Sequence, residues 1–177
     1  MQSKKIEISK IKVVILAGGL GTRLSEYTKL IPKPMIKVRK KPILFHIIEH
    51  YQKFGFRNFI IATGYKSDYI IEYFKNKKPF REIKNKTEKK NKDKLFVQEK
   101  NLSSFNIVET GLNTMTGGRI KRLKKHLSSQ EHFCLTYGDG VSDVNLNNLL
   151  KLHIKRNKIA TVTAVRPPSR FGALKIK

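Results

Sequence analysis

A chain of 177 residues with 39% hydrophobic residues has the usual size and apolar content of one globular domain, so a single core is the starting expectation. No run approaches the ~18 consecutive apolar residues that a membrane-spanning helix needs, Met1 to Lys10 is too polar for a secretory signal, and Cys134 alone can make no internal disulfide. These points argue for a cytoplasmic protein without a membrane partner. The 38 Lys and Arg against 13 Asp and Glu give a formal charge of +25, which admits two readings. Nucleic-acid binding is the disfavoured one: Lys outnumbers Arg, and the densest basic run lacks interleaved aromatics for base stacking. A solvated basic surface that attracts small phosphorylated ligands fits better.

Residues 1–10 read as a loosely held tail. Lys12 to Ala17 is a short β-branched run ending at Gly18-Gly19, the pattern of a buried strand feeding a loop. Pro42 and Gly55 bracket a helix whose apolar side is Ile43, Ile47, Ile48, Tyr51 and Phe54. Phe59 to Thr63 is a second strand, and Ser67 precedes a second helix carrying Tyr69, Ile70, Tyr73 and Phe74. From Lys75 to Lys100 the pattern dissolves into Lys, Asn and Glu, as expected of a mobile excursion within the domain. Then follow a strand from Phe105 to Thr110, a basic helix from Gly118 to Leu127, and a strand from Phe133 to Tyr137 ending at Gly138-Asp139-Gly140. A helix over Leu146 to Arg156, a strand over Ala160 to Val165 and another starting at Leu174 complete the alternation. Repeated β-then-α units predict a doubly wound α/β fold, a mostly parallel sheet with helices on both faces, running from residue 11 to 177.

Leu16-Ala17-Gly18-Gly19-Leu20-Gly21-Thr22-Arg23 follows the first strand, and Pro32-Lys33-Pro34 comes soon after. Ligands of α/β sheets sit beyond the carboxyl ends of strands, where glycines let backbone N–H groups approach phosphate oxygens. Arg23 adds a planar charged fork and Lys33 a point charge held between two prolines. The spacing fits neither a P-loop nor the dinucleotide fingerprint, whose last glycine is here Leu24. Cys134, inside an apolar strand, reads as inert core, and the five scattered histidines as packed or surface residues.

This arrangement resembles the signature of the sugar-phosphate nucleotidyltransferase family. Four further segments, Lys41 to Ile47, Thr114 to Arg119, Thr136 to Val141 and Pro167 to Leu174, resemble its cytidylyl-transferring members more than the thymidylyl or uridylyl ones. The resemblance implies a Rossmann-like fold and transfer of a cytidylyl group from CTP to glucose 1-phosphate, in the biosynthesis of nucleotide sugars for deoxysugars and surface polysaccharides such as the lipopolysaccharide O-antigen. Binding of CTP alone, or transfer from dTTP or UTP, are the alternatives. It further implies that Leu16, Ala17, Gly18, Gly19, Leu20, Gly21, Thr22 and Arg23 hold the nucleotide, that Thr114, Arg119 and Gly138 complete its pocket, and that Lys33 touches phosphate. Asp139 would bind Mg²⁺, making Arg23, Lys33 and Asp139 the catalytic set. Gly172 resembles a position near the hexose, a reading that a plain turn rivals. A homo-oligomer is an open possibility. Arg39 and Lys40 stand where relatives usually carry two glycines. A second Mg²⁺-binding Asp, a Lys at the sugar phosphate and much of the sugar pocket are expected in a region past Lys177, so turnover by this chain alone is expected to be impaired.

Overall fold

The computed structural model describes residues 6–20, 30–83 and 93–165. They form two compact units, residues 1–143 and 144–177.

The first unit is built on β1 (Lys12–Leu16), β4 (Asn58–Thr63), β7 (Ser103–Glu109) and β8 (Phe133–Tyr137), which run parallel in the spatial order β7-β4-β1-β8. Counted along the chain as first to fourth, these strands lie 3-2-1-4. The order therefore reverses between β1 and β8, and a crevice opens there at the carboxyl ends.

Over β1, β4 and β7 both faces of this sheet are covered, as the alternation of strands and helices predicts, whereas Phe133, Leu135 and Tyr137 of β8 are exposed. Val14, Leu16, Ile60, Ala62 and Val108 turn one way and meet Ile120 of α3 (Thr116–Arg122), Leu127 of α4 (Lys124–Leu127) and Leu123 between the two helices. Phe59 and Phe105 stack on the other face with centroids 5.2 Å apart, and Phe74 of α2 (Ser67–Asn76) packs 5.4 Å from Phe105 and 5.2 Å from Phe45 of α1 (Ile43–Lys53). Each aromatic buried in this way contributes roughly 1.5–3 kcal/mol of transfer free energy.

Several expectations change. The segment 75–100 is not without structure: β5 (Phe80–Ile83) and β6 (Lys94–Gln98) extend the sheet antiparallel beyond β7. Phe80 and Phe96 anchor the extension by packing on Phe74, with centroids 4.7 and 5.4 Å away. Two phenylalanines outweigh the polar composition around them. The expected tail is also partly fixed, since residues 8–10 form a turn whose Ser9 carbonyl accepts from Asn58 Nδ2 at 2.6 Å. The basic helix starts earlier, at Thr116, and breaks at the fully buried Leu123.

In the second unit α5 spans Leu146–Arg156, with Asn145 accepting the Asn148 amide as N-cap and Asn157 closing in the left-handed region. No strand forms over 160–165, where Val162 and Val165 are exposed; β-branched composition alone does not make a strand. Residues 166–177, including Gly172 and the last expected strand, lie outside the described residues.

Candidate active site at the β1–β8 junction

Two loops leave the sheet side by side where its order reverses. Leu16 of β1 pairs in register with Tyr137 of β8, and the Gly138 amide extends the ladder by donating to the Leu16 carbonyl at 2.9 Å. Neighbouring strands run about 5 Å apart, so Ala17-Gly18 and Gly138-Asp139 emerge as adjacent chain segments.

Lys33 reaches the same place from a third direction. Pro32 precedes a single 3₁₀ turn, Lys33–Met35, whose Met35 is buried and whose Pro34 packs toward Gly138. A Cβ on Gly138 would lie 3.0 Å from Pro34 Cγ and 3.0 Å from the Leu16 carbonyl, so this glycine is what lets the turn approach β8. The result is an ion pair between residues far apart in sequence: Lys33 Nζ lies 2.5 Å from Asp139 Oδ2, each side chain one-third exposed. An exposed pair of this kind contributes about 0–1 kcal/mol, so both groups can exchange partners at little cost. The two prolines and the buried Met35 explain how a flexible lysine is delivered to one point.

Arg119, expected to help complete the nucleotide pocket, lies beneath the first loop. It is 4% exposed. Nη1 donates to the Thr63 carbonyl at 3.1 Å, Thr110 Oγ1 at 2.7 Å and the Gly111 carbonyl at 2.8 Å, while Nη2 donates to the carbonyls of Gly18 at 2.7 Å and Leu112 at 3.3 Å. These acceptors follow or end β1, β4 and β7, so one side chain ties three strand ends together. Burial, and secondarily the charge of Arg122, pull its pKa below the ordinary arginine value. Arg122 braces the same turn, donating to the Thr110 carbonyl and, at 2.6 Å, to Thr114 Oγ1.

The glycines divide their work accordingly. Gly18 is buried, and a Cβ there would stand 2.3 Å from Arg119 Nη1; at Gly19, which is exposed, a Cβ would meet nothing within 4 Å. Gly18 is thus a glycine for the sake of the guanidinium, and Gly19 borders open space. Leu16 and Ala17 are buried and Leu20 is exposed, while Gly21, Thr22 and Arg23 lie outside the described residues. Thr63, Gly64, Thr110 and Gly111, which complete the arginine's seat, carry no chemical signature in the sequence; a glycine directly after a strand, at Gly64 and close behind β7 at Gly111, was the available signal. Cys134, expected as core, is only half-buried on the outer strand β8, and burial pushes its thiol up to about 11.

A loop rich in backbone donors, an exchangeable lysine and a strand-end carboxylate at a switch point are the parts of a phosphate-handling site. The sequence profile described as nucleotidyl transferase matches residues 12–177. The chain belongs to the nucleotidyl transferase family. Among curated members it is 45% identical to a glucose-1-phosphate cytidylyltransferase of Salmonella typhimurium and 38% identical to a probable glucose-1-phosphate cytidylyltransferase of Bacillus subtilis, in each case over 94% of this chain and 65% of the relative. The chain thus spans slightly under two thirds of the length of these nucleotidyl transferases. Among solved structures, HddC of Yersinia pseudotuberculosis, complexed with GMP-PN, superimposes with a TM-score of 0.60 at 28% identity, covering 81% of this chain and 54% of that one. A UDP-glucose pyrophosphorylase, at 22% identity and a TM-score of 0.60, shows the same fold, covering 83% of this chain and 54% of its own.

Proposed function

We propose that this chain carries the nucleotide side of a cytoplasmic enzyme that transfers a cytidylyl group from CTP to glucose 1-phosphate, giving CDP-glucose and pyrophosphate. The observation that carries the reading is the meeting of the Gly18-Gly19 loop, Lys33 and Asp139 at one junction of the sheet. The names of its 45% and 38% identical relatives support the choice of CTP and glucose 1-phosphate.

In this reading a phosphate oxygen of glucose 1-phosphate attacks the α-phosphorus of CTP in line, and the bond to the β-phosphate's bridging oxygen breaks as pyrophosphate leaves. The reaction needs no protein nucleophile. The chain supplies alignment and charge. Gly18 to Arg23 hold the triphosphate, with Leu16, Ala17, Gly138 and Thr114 around the nucleoside. Lys33 leaves Asp139 for a phosphate oxygen, and Arg23 faces the departing pyrophosphate.

Asp139 suits Mg²⁺ in one respect: it is a partly exposed hard-oxygen donor at a strand end, released when Lys33 moves to phosphate. Mg²⁺ commonly pairs one or two carboxylates with substrate phosphates and water, so Asp139 would be one protein ligand among several oxygens. When bound, Mg²⁺ supplies neutralisation of phosphate charge beside the carboxylate of Asp139.

The test is incubation of the purified chain with CTP, glucose 1-phosphate and Mg²⁺, with dTTP, UTP and GTP as comparators, beside calorimetric titration of each nucleotide. CDP-glucose with a preference for CTP is the expected product. Binding of CTP without product would make the chain a nucleotide-binding module, and no binding of any nucleotide would sink the reading.

A further inference from the structure

We propose that Arg119 is the positioning residue of the glycine loop: by pinning the Gly18 carbonyl beneath the sheet end, it turns the Gly19 amide outward as a donor to the nucleotide's phosphates. The inference rests on the reading that this loop receives CTP.

The geometry follows from the peptide bond. In a planar trans peptide the carbonyl of one residue and the N–H of the next point in opposite directions. The Gly18 carbonyl accepts from Arg119 Nη2 at 2.7 Å and from the Tyr65 amide at 3.2 Å, both on the protein side of the loop. The Gly19 N–H therefore points the other way, where Gly19 is exposed and space around it is open. Without Arg119, the Tyr65 amide is the donor left, among the described residues, to oppose a flip of the Gly18–Gly19 peptide, which would present a carbonyl oxygen to the phosphates. One peptide orientation separates an attractive site from a repulsive one.

Only an arginine performs this task here. Its planar fork serves Gly18 through one nitrogen while the other holds Thr63, Thr110 and Gly111, so the loop is referenced to β4 and β7 rather than to a mobile neighbour. A lysine's single ammonium can satisfy part of that set. The seat is cut for the guanidinium by missing side chains: a Cβ on Gly64 would stand 2.6 Å from Nη1 and 2.7 Å from the Gly111 carbonyl, and one on Gly18 2.3 Å from Nη1. Among the described residues no carboxylate pairs with Arg119, so its charge is balanced by dipoles alone and adds to the pull on an incoming phosphate.

The test uses the full chain, isotopically labelled and nucleotide-free, with Arg119→Lys and Gly64→Ala, the latter keeping the charge but filling its seat. In the unmutated protein, the Arg119 Nη protons should be resolved and slow to exchange. Both variants should shift the Gly18 carbonyl-carbon and Gly19 amide resonances while leaving the β1 amides in place. In calorimetry with CTP and Mg²⁺, each should weaken binding by about tenfold to a hundredfold, the scale of one charge-assisted hydrogen bond. An unmoved Gly19 amide in Arg119→Lys would overturn the inference, as would Gly64→Ala binding CTP like the unmutated protein, because a displaced guanidinium no longer holds the Gly18 carbonyl and binding should then fall. Should Arg119→Lys not fold, Gly64→Ala and the Nη protons decide. If the unmutated protein binds no CTP, the functional reading fails by itself, and the nucleotide-free resonances still tell whether Arg119 sets the Gly19 amide.

Discussion

Beneath the glycine loop, Arg119 is buried and bonded to carbonyls from three strand ends; at the rim of the same site, Lys33 and Asp139 are one-third exposed and pair with each other. The buried charge has no carboxylate partner among the described residues and no freedom, whereas the rim charges are paired and exchangeable. Charge that is expensive to move builds the floor, and charge that is cheap to move stands where the proposed chemistry needs it. A surface ion pair contributes at most about 1 kcal/mol, while each hydrogen bond to a charged donor is worth about 1.5–3 kcal/mol. The two regions should therefore respond to mutation in opposite ways.

The sharpest separation comes from Lys33→Ala. Its loss should lower kcat/KM for CDP-glucose formation about 10²- to 10³-fold, as removal of one preorganised charge does, while urea unfolding moves by less than about 1 kcal/mol. A stability loss as large as the kinetic one would place Lys33 in the scaffold and erase the distinction. Arg119→Ala should do the reverse in thermodynamic terms and lose about 3 kcal/mol in urea unfolding. The figure stays moderate because the Thr63 carbonyl keeps Thr110 and the Gly18 carbonyl keeps Tyr65 as donors, leaving Gly111 worst served. Gly138→Ala probes the seam between floor and rim. Its Cβ would press on Pro34 and the Leu16 carbonyl, so about 1–2 kcal/mol of stability should go, with Lys33 displaced from Asp139 and CTP binding weakened. Unchanged binding would show that Lys33 does not depend on that close approach.

What the sequence disclosed follows the same division. The parallel strands, α1 and α5 were legible because short β-branched runs and 3.6-residue periodicity are local signals, and the rim was legible because Pro32-Lys33-Pro34 and Gly138-Asp139 are chemically conspicuous. The floor was legible only in part. The family resemblance marks Arg119 as a residue of the nucleotide pocket, but nothing local shows that Gly18, Gly64 and Gly111, brought from three strand ends, enclose its guanidinium. The sheet extension by β5 and β6 was hidden for a related reason: Phe80 and Phe96 belong to a ring cluster whose other members, Phe74 and Phe105, come from elsewhere in the chain. Residues 160–165 mislead in the opposite direction, since their β-branched character is local whereas a strand needs a partner brought by the rest of the fold.

The smallest expected effect concerns the hairpin that leads away from the Lys33 turn. β2 (Lys37–Val38) and β3 (Lys41–Pro42) pair antiparallel across a two-residue loop, Arg39-Lys40, with φ of +49° and +67°. Such a loop demands positive φ at both central positions and favours glycine at the second. A residue with a Cβ costs roughly 1–2 kcal/mol in that region, whereas glycine loses about 0.5–1 kcal/mol more chain entropy on folding. Relief exceeds entropy at Lys40, so Lys40→Gly should stabilise the protein by roughly 0.5–1 kcal/mol, raising Tm by about 2–4 °C per kcal/mol in a chain of this size. Because the Lys33 turn is held separately, by Met35 in the core and Pro34 against Gly138, CTP affinity should stay where it was. A stabilised hairpin with altered CTP affinity would mean that the rim is set by the hairpin rather than by the proline turn, and the line between floor and rim would have to be redrawn.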